Sequence, residues 1–240
     1  MEWSDQGIIL SSRKHGETSL IVTLMTENRG VHAGLVKGGA GKRKRGDLQP
    51  GNLVLAHWRG RLAEHLGNFN CELMRAYAVT LFDSPDTLSC LSSALAVSHG
   101  ALPEREAHPT IFNGLNIVLN SLEGDDWPSI YVKWELGLLS ALGFGLDLSR
   151  CAATGVTANL IYVSPKSGCA VSGEAGEPYR QSMLALPRFL LEKGISGTPS
   201  EIVEGLLLTG FFLKRHVFSY LHSKNLPAAR QRFSERMHKL

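Results

Sequence analysis

Residues 19–36 read SLIVTLMTENRGVHAGLV, and this stretch decides the fold of the N-terminal part. Ser19–Met25 is rich in β-branched and apolar residues, Glu27–Gly30 is typical of a tight turn, and Val31–Val36 is again apolar. Two such runs separated by a short glycine-containing turn are typical of an antiparallel hairpin. The stretch therefore predicts two adjacent strands.

Three further runs on either side of this hairpin have the same character: Gln6–Ser11, Leu53–Trp58 and Arg61–Leu66. Five short strands with turn residues every 8–12 positions predict a small β-barrel. The pattern fits an oligonucleotide-binding (OB) fold, and an SH3-like barrel fits it nearly as well. We place this domain at residues 1–80.

From residue 81 to 240 the apolar spacing becomes helical. Helices are predicted from Ser84-Pro85 onward, at 111–124, 128–143, 181–193 and 200–223. Residues 150–180 interrupt them with a strand-turn-strand pattern that predicts a β-hairpin at 159–171. The predicted fold class is α+β: a five-stranded OB-fold barrel, then a mainly helical domain with a short β-hairpin insert.

Composition excludes several classes of protein. With 43% hydrophobic and 20% charged residues, the chain resembles an ordinary globular protein rather than a disordered one. It has no apolar run of the roughly 18–20 residues that cross a bilayer, and its acidic first residues lack the basic region of a secretory signal. We therefore expect a cytoplasmic protein with no membrane partner and with four free cysteines.

Charge is distributed unevenly. The net charge is +4 over residues 1–80, −6 over 81–150 and +5 over 151–240. Clustered cations favour a polyanionic partner, because binding releases counterions from its phosphates. The sharpest cluster is GGAGKRKRG at Gly38–Gly46. Its glycines predict a mobile loop.

This loop is not a phosphate-binding P-loop. The P-loop pattern needs glycine at position 36 and a hydroxyl after Lys42, and the chain has Val36 and Arg43. We instead predict phosphate contacts that do not depend on base sequence. The candidate DNA-binding residues are Lys37, Lys42, Arg43, Lys44, Arg45, Arg59 and Arg61. Trp3, Trp58 and Phe69 are the aromatic candidates for base stacking, and Trp58 is expected to belong to the core.

A second basic surface is predicted near the C-terminus, where a simple solvated helix end explains the charge equally well. Its candidate residues are Lys214, Arg215, Lys224, Arg230, Arg232 and Arg236. No cluster of histidines, paired carboxylates or nucleophile motif indicates catalysis. We therefore predict that the chain is not an enzyme.

Several motifs together resemble the RecO family of bacterial recombination mediators. They are Gly7-Ile8-Ile9-Leu10, His15-Gly16-Glu17, Leu48-Gln49-Pro50-Gly51, Trp58-x-x-Arg61-Leu62, Lys133-Trp134-Glu135-Leu136 and Leu142-Gly143-Phe144. The resemblance spans essentially the whole chain, and the order and spacing of the motifs are more specific than any one of them.

The resemblance implies DNA repair and homologous recombination through binding of single- and double-stranded DNA and annealing of complementary strands. It implies partnership with RecR, contact with the acidic tail of single-stranded DNA-binding protein (SSB), and indirect loading of RecA at the nucleoid. Lys133, beside an apolar face, is the candidate contact for the SSB tail. An alternative is another basic OB-fold adaptor for RNA or DNA with no role in recombination.

The resemblance also implies a zinc-finger-like insert, but the metal ligands are degenerate here. Zinc-bearing members have two C-x-x-C pairs, where this chain has Cys151-Ala-Ala-Thr154 and Ser172-Gly-Glu-Ala175, with Cys169 offset. One matching thiolate cannot supply four tetrahedral ligands. We therefore predict no bound metal, zinc included, and no other cofactor.

Overall fold

The computed structural model describes residues 1–62, 64–81, 84–220 and 224–239. Contacts divide the chain into two compact units, Met1–Glu123 and Gly124–Leu240. The boundary between these units differs from the domain boundary predicted at residue 80, which stays a prediction. The reason for the difference is that two helices following residue 84 belong to the same compact unit as the strands.

The first unit is built around a closed five-stranded barrel with strand order β1-β2-β3-β5-β4. The strands are β1 (Glu2–His15), β2 (Ser19–Thr26), β3 (Gly30–Val36), β4 (Leu53–Arg59) and β5 (Asn68–Arg75). The β4–β1 pairing closes the barrel, and the β3–β5 pairing is parallel. The predicted OB-fold is confirmed, and the SH3-like alternative is set aside.

The barrel core comes from the alternation of side chains along the strands. In β4, Val54, Ala56 and Trp58 are buried while the residues between them are more exposed, as the two-residue period of a strand requires. These three join side chains from the other strands and from the segment after β3. The core cluster contains Ile9, Leu20, Val22, Leu24, Val36, Leu48, Val54, Ala56, Trp58 and Phe69.

The fifth strand was predicted in the wrong place. None of the described residues of Arg61–Leu66 belongs to a strand, Ala63 lies outside the described residues, and the fifth strand is Asn68–Arg75. The turn folds over Trp58, whose Nε1 donates to the Leu66 carbonyl at 3.1 Å. Gly67 has a φ of +62°, and a Cβ there would lie 2.4 Å from the Trp58 ring. This segment therefore covers the barrel end and cannot extend as a strand.

The described residues of the first unit also form four helices: α1 (Lys42–Asp47), α2 (Tyr77–Thr80), α3 (Pro85–Ala101) and α4 (Pro109–Ser121). Both longer helices have proline in the first turn, where its missing N–H has no intrahelical partner to lose. The predicted helix start at Ser84-Pro85 is confirmed.

The second unit combines helices with a small sheet. Its helices are α5 (Trp127–Ala141), α6 (Gly173–Gly176), α7 (Pro199–Phe212) and α8 (Ala228–Met237), with 3-10 turns at Glu177–Ser182 and Arg188–Leu190 and a π-helical turn at Leu213–Phe218. The sheet, in the order β7-β6-β8, contains β6 (Leu160–Val163), β7 (Ala170–Ser172) and β8 (Leu184–Ala185).

The predicted hairpin is confirmed as β6 and β7, which pair antiparallel. The helix predicted at 181–193 is wrong: the end of the 3-10 turn Glu177–Ser182, β8 and the 3-10 turn Arg188–Leu190 occupy this stretch. Pro187 lies in its middle and has no N–H to donate to an α-helix. The end of the helix predicted at 200–223 falls on residues 221–223, outside the described residues. No described helix is both long and apolar enough to span a membrane.

Candidate nucleic-acid interface

The basic stretch between β3 and β4 is a short helix and not the mobile loop that its glycines predicted. Lys42, Arg43, Lys44 and Arg45 lie in α1, and all four side chains are exposed. The helix has no buried residue, so its own sequence gives it no apolar face. Its order comes from the contacts of the residues that flank it.

Two such residues attach α1 to the barrel. Leu48, directly after the helix, is buried in the barrel core at 2% exposure. Asn52 is fully buried, and its Nδ2 donates to the carbonyls of Gly46 and Asp47 at 3.2 and 3.1 Å. These bonds give donors to carbonyls at the C-terminal end of α1, where donors from the helix itself run out. The four cations are thus presented on a fixed turn.

The other predicted DNA contacts, Lys37, Arg59 and Arg61, are exposed as well, but they do not form one continuous track. Lys37 directly follows β3. The last residue of β3 pairs with Leu20 at the start of β2, so Lys37 lies at the end of the barrel that carries α1. Arg59 pairs with Glu2 at the opposite end of β1, and Arg61 lies in the turn after it. None of the seven forms an ion pair with another described residue.

Sequence reasoning missed one cation beside α1. Lys14, at the end of β1, lines a cavity of about 290 Å³ together with Arg45, Glu17 and Gln49. The consecutive Arg13-Lys14-His15 at this strand end was the available signal. Lys14 therefore adds to the positive charge at the α1 end of the barrel.

The aromatic candidates have different positions. Trp58 is only 2% exposed, which confirms the expectation that it belongs to the core. Phe69 is also buried, at 4%. Trp3 remains partly exposed and stacks on Trp58, with 5.8 Å between ring centroids and 15° between planes. Of the three, Trp3 alone offers accessible ring surface.

The prediction that Arg230 belongs to a second basic surface is wrong. Arg230 is 1% exposed, and its guanidinium binds the Glu135 carboxylate through Nε at 2.6 Å and an Nη at 2.9 Å. It lies on the same face of α8 as the buried Phe233 and Met237, at positions i, i+3 and i+7. This spacing was the sequence signal for burial.

The other five candidates of this surface are exposed: Lys214, Arg215, Lys224, Arg232 and Arg236. Lys214 and Arg215 lie in the π-helical turn, and Arg232 and Arg236 in α8. Arg215 donates to the Pro165 carbonyl and lies 6.0 Å from the centroid of the Phe211 ring. The Arg215 guanidinium is therefore partly engaged in contacts within the chain.

Lys133, the candidate for the SSB tail, is exposed on α5. Its Nζ lies 5.5 Å from the centroid of the buried Phe189 ring and 3.4 Å from the Ile195 carbonyl, to which it donates. The side chain is loosely held and remains accessible to an acidic group.

The insert does not provide the donor set of a structural zinc site. Cys151 is buried, and its Sγ accepts a hydrogen bond from the Ser172 amide at 3.3 Å. Hydrogen bonds from Ser172 and Thr154 lower the pKa of the Cys151 thiol to about 6. No group of three or more His, Cys, Asp or Glu side chains in the described part of the chain could hold a metal ion. The residues present therefore do not fit zinc.

Comparison with known proteins supplies the family. Residues 1–77 match the family model described as recombination protein O N terminal, and residues 83–225 match recombination protein O C terminal. The chain is 51% identical to the DNA repair protein RecO of Rhodospirillum centenum over 241 residues, covering 100% of this chain and 96% of that protein. It is 46% identical to the DNA repair protein RecO of Rhodospirillum rubrum, covering 99% of this chain and 96% of that one.

A third relative, the DNA repair protein RecO of Phenylobacterium zucineum, is 47% identical, and the aligned region covers 96% of this chain and 95% of that protein. The two family models match the barrel and the helical part of this chain, N-terminal model first and C-terminal model second. The chain therefore belongs to the RecO family.

Proposed function

We propose that this chain is a DNA-binding mediator of DNA repair and homologous recombination. The observation that carries the proposal is the helix α1, whose four exposed cations form no ion pair with another described residue and which is fixed to a closed OB-fold barrel. A family of recombination and repair proteins provides the biological setting.

The chemistry of α1 suits phosphates better than bases. Four neighbouring cations attract a chain of negative charges and release its counterions, and this attraction is independent of base sequence. Both single- and double-stranded DNA present such a chain. The fixed turn also means that little ordering of the protein accompanies binding.

Annealing requires a molecule that holds two strands at once. The cations of α1 form one candidate contact, and the exposed Lys214, Arg215, Lys224, Arg232 and Arg236 of the second unit form another. With two contacts, neutralisation of both strands reduces their mutual repulsion and raises their local concentration. No covalent bond changes in this process, so the proposed function is not enzymatic.

The partners belong to the same proposal. RecR is proposed to act together with this chain, and SSB to contact it through its acidic C-terminal tail, with Lys133 as the charged contact. The outcome is the loading of RecA onto SSB-coated DNA in the cytoplasm, at the nucleoid.

The first test replaces Lys42, Arg43, Lys44 and Arg45 with alanine and measures single-strand affinity as a function of salt. Each neutralised phosphate contributes a slope of about −0.7 in log K against log salt, so the slope should weaken by up to about 2.8. Over a fourfold change in salt this difference corresponds to about 50-fold in affinity.

A matched control removes four exposed cations outside both basic surfaces. Arg150, Lys166, Arg180 and Lys193 are suitable, and their replacement by alanine should leave the slope nearly unchanged. Equal slopes for the two quadruple variants would remove α1 from the interface.

The second test measures annealing of complementary oligonucleotides coated with SSB, with and without the chain and RecR. Acceleration that depends on α1 supports the mediator role. Binding to RNA as tight as to single-stranded DNA, together with no acceleration of annealing, would point to a general nucleic-acid adaptor instead.

A further inference from the structure

A second feature of the barrel lies at the end opposite α1, around Trp3 near the start of β1. The Trp3 ring contacts three other rings: Trp58 at 5.8 Å, His32 at 5.1 Å and Phe69 at 5.8 Å between centroids. The ring surface that remains uncovered lines two cavities of about 400 Å³ each. Cavities of this size are in the range that holds small organic ligands.

His32 lines one of these cavities and has a buried polar atom without a hydrogen-bond partner among the described residues. The residue is 7% exposed, and the buried atom is its Nδ1. Burial and, to a lesser degree, the charge of Arg105 lower the pKa of His32. The ring therefore stays neutral at neutral pH. Buried polar atoms of side chains are rarely left without a partner, so a ligand is one explanation.

Two cations, Arg29 and Arg105, lie at the mouth of the same cavity. Arg105 has a φ of +63°, which is rare for a residue with a side chain and indicates that the surroundings hold it there. Its amide donates to the Val31 carbonyl at 2.9 Å, and an Nη donates to the Glu64 carbonyl at 2.8 Å. Glu104 lies 4.0 Å from Arg105 and offsets part of its charge.

A close backbone approach fixes the same place. Gly30, the first residue of β3, has a φ of +69°, and a Cβ there would lie 2.0 Å from the Glu106 carbonyl oxygen. The segment that carries Arg105 is therefore packed against the turn that carries Arg29. The backbone of the two segments that carry Arg29 and Arg105 is therefore fixed beside the cavity.

We propose that this cavity binds one unpaired nucleobase of a single strand, with the base stacked on Trp3, a polar edge hydrogen-bonded to His32, and the adjoining phosphate near Arg29 and Arg105. The inference rests on the proposed function and adds a base-dependent site to it. Double-stranded DNA, whose bases are paired and stacked, cannot use the site.

Fluorescence makes this site observable in the unmodified protein. The chain has four tryptophans, and Trp58, Trp127 and Trp134 are at most 9% exposed. Stacking of a base on Trp3 should therefore quench emission from this one residue. An oligonucleotide of abasic residues, with the same number of phosphates, should bind through α1 without quenching.

The main experiment titrates the full chain with oligothymidylate, with the abasic strand of equal length, and with the free mononucleotide. We expect quenching with the first strand only, and affinity for it at least about fivefold above that of the abasic strand, at an equal salt slope. Quenching by the free mononucleotide at low concentration would show a soluble-nucleotide site and overturn the proposal.

Two variants locate the effect. Trp3→Phe keeps an aromatic face, so it should lose the quenching and keep most of the affinity. Arg105→Asn removes the charge with a residue that tolerates positive φ, and it should weaken oligothymidylate binding more than the exposed control Lys193→Asn does.

The outcomes separate this inference from the proposed function. Equal affinity and unchanged fluorescence with both strands, alongside a salt slope that depends on α1, would refute the base site and leave the mediator role intact. If the unmodified chain retained no oligonucleotide at low salt, the base site and the proposed function would both be refuted.

Discussion

Replacement of Arg230 by methionine is the sharpest test of how the second unit is built. Arg230 and Glu135 are 1% and 0% exposed, and their contact is bidentate. The same Arg230 Nη donates to the Leu206 carbonyl at 2.9 Å. The Glu135 carboxylate also accepts hydrogen bonds from Tyr131 at 2.9 Å and Thr209 at 2.5 Å. Methionine would leave this carboxylate buried without a counter-charge.

The expected loss is large for a protein of this size. Removal of one partner of a buried ion pair costs about 3–5 kcal/mol, against a total stability of about 5–15 kcal/mol. For a unit of this length, such a loss corresponds to a decrease in Tm of about 10–20 °C. Arg232→Met, on the same helix but exposed, should change Tm by less than about 2 °C.

A double variant separates the buried charge from lost packing. In Arg230→Met with Glu135→Gln, the amide oxygen can still accept a hydrogen bond from Tyr131 or Thr209. The carboxylate charge is then absent, so the double variant should be more stable than Arg230→Met alone. Thermal unfolding followed by circular dichroism measures all four proteins.

Two results would refute this reasoning. One is an unchanged Tm for Arg230→Met. The other is weaker DNA binding by Arg230→Met with no loss of stability, which would return Arg230 to the DNA surface where its position in the sequence first placed it.

Three further predictions concern the first unit and α5. Since burial lowers the pKa of His32 below its usual 6.5, acidification below that value should destabilise the fold, and His32→Gln should flatten the fall in Tm. Asn52→Leu removes the bonds that hold α1, so amide exchange of α1 should speed up and DNA affinity should fall while the salt slope persists. Lys133→Glu should weaken binding of an acidic, apolar SSB-tail peptide, measured by fluorescence anisotropy, without changing DNA affinity.

The sequence predicted those elements whose own residues encode their environment. Ser19–Thr26 is buried along nearly its whole length, and its β-branched composition predicted a strand. Proline in the first turn marked the start of α3 in the same way. In both cases local chemistry and tertiary position agree, so a prediction from the sequence alone was sufficient.

The prediction failed where a distant partner determines the structure. Asn68–Arg75 alternates the apolar Phe69, Cys71 and Leu73 with polar residues, a signal that the prediction overlooked, and of these three only Phe69 is buried. It is a strand because β4 pairs with it from Leu53 to Arg59. Arg230 counted as a surface cation because its partner Glu135 is 95 residues away. The helical spacing of Phe233 and Met237 indicated the buried face of α8. The prediction for Arg230 gave more weight to its charge than to this spacing.

The basic segment shows why this distinction matters for function. Its glycines and four cations predicted a loop that repels itself and moves freely, and such a loop would lose conformational entropy on binding DNA. Leu48 and Asn52, which order it, follow the cluster and carry no charge. Because the barrel already fixes the turn, most of the attraction between its cations and the phosphates remains available as affinity.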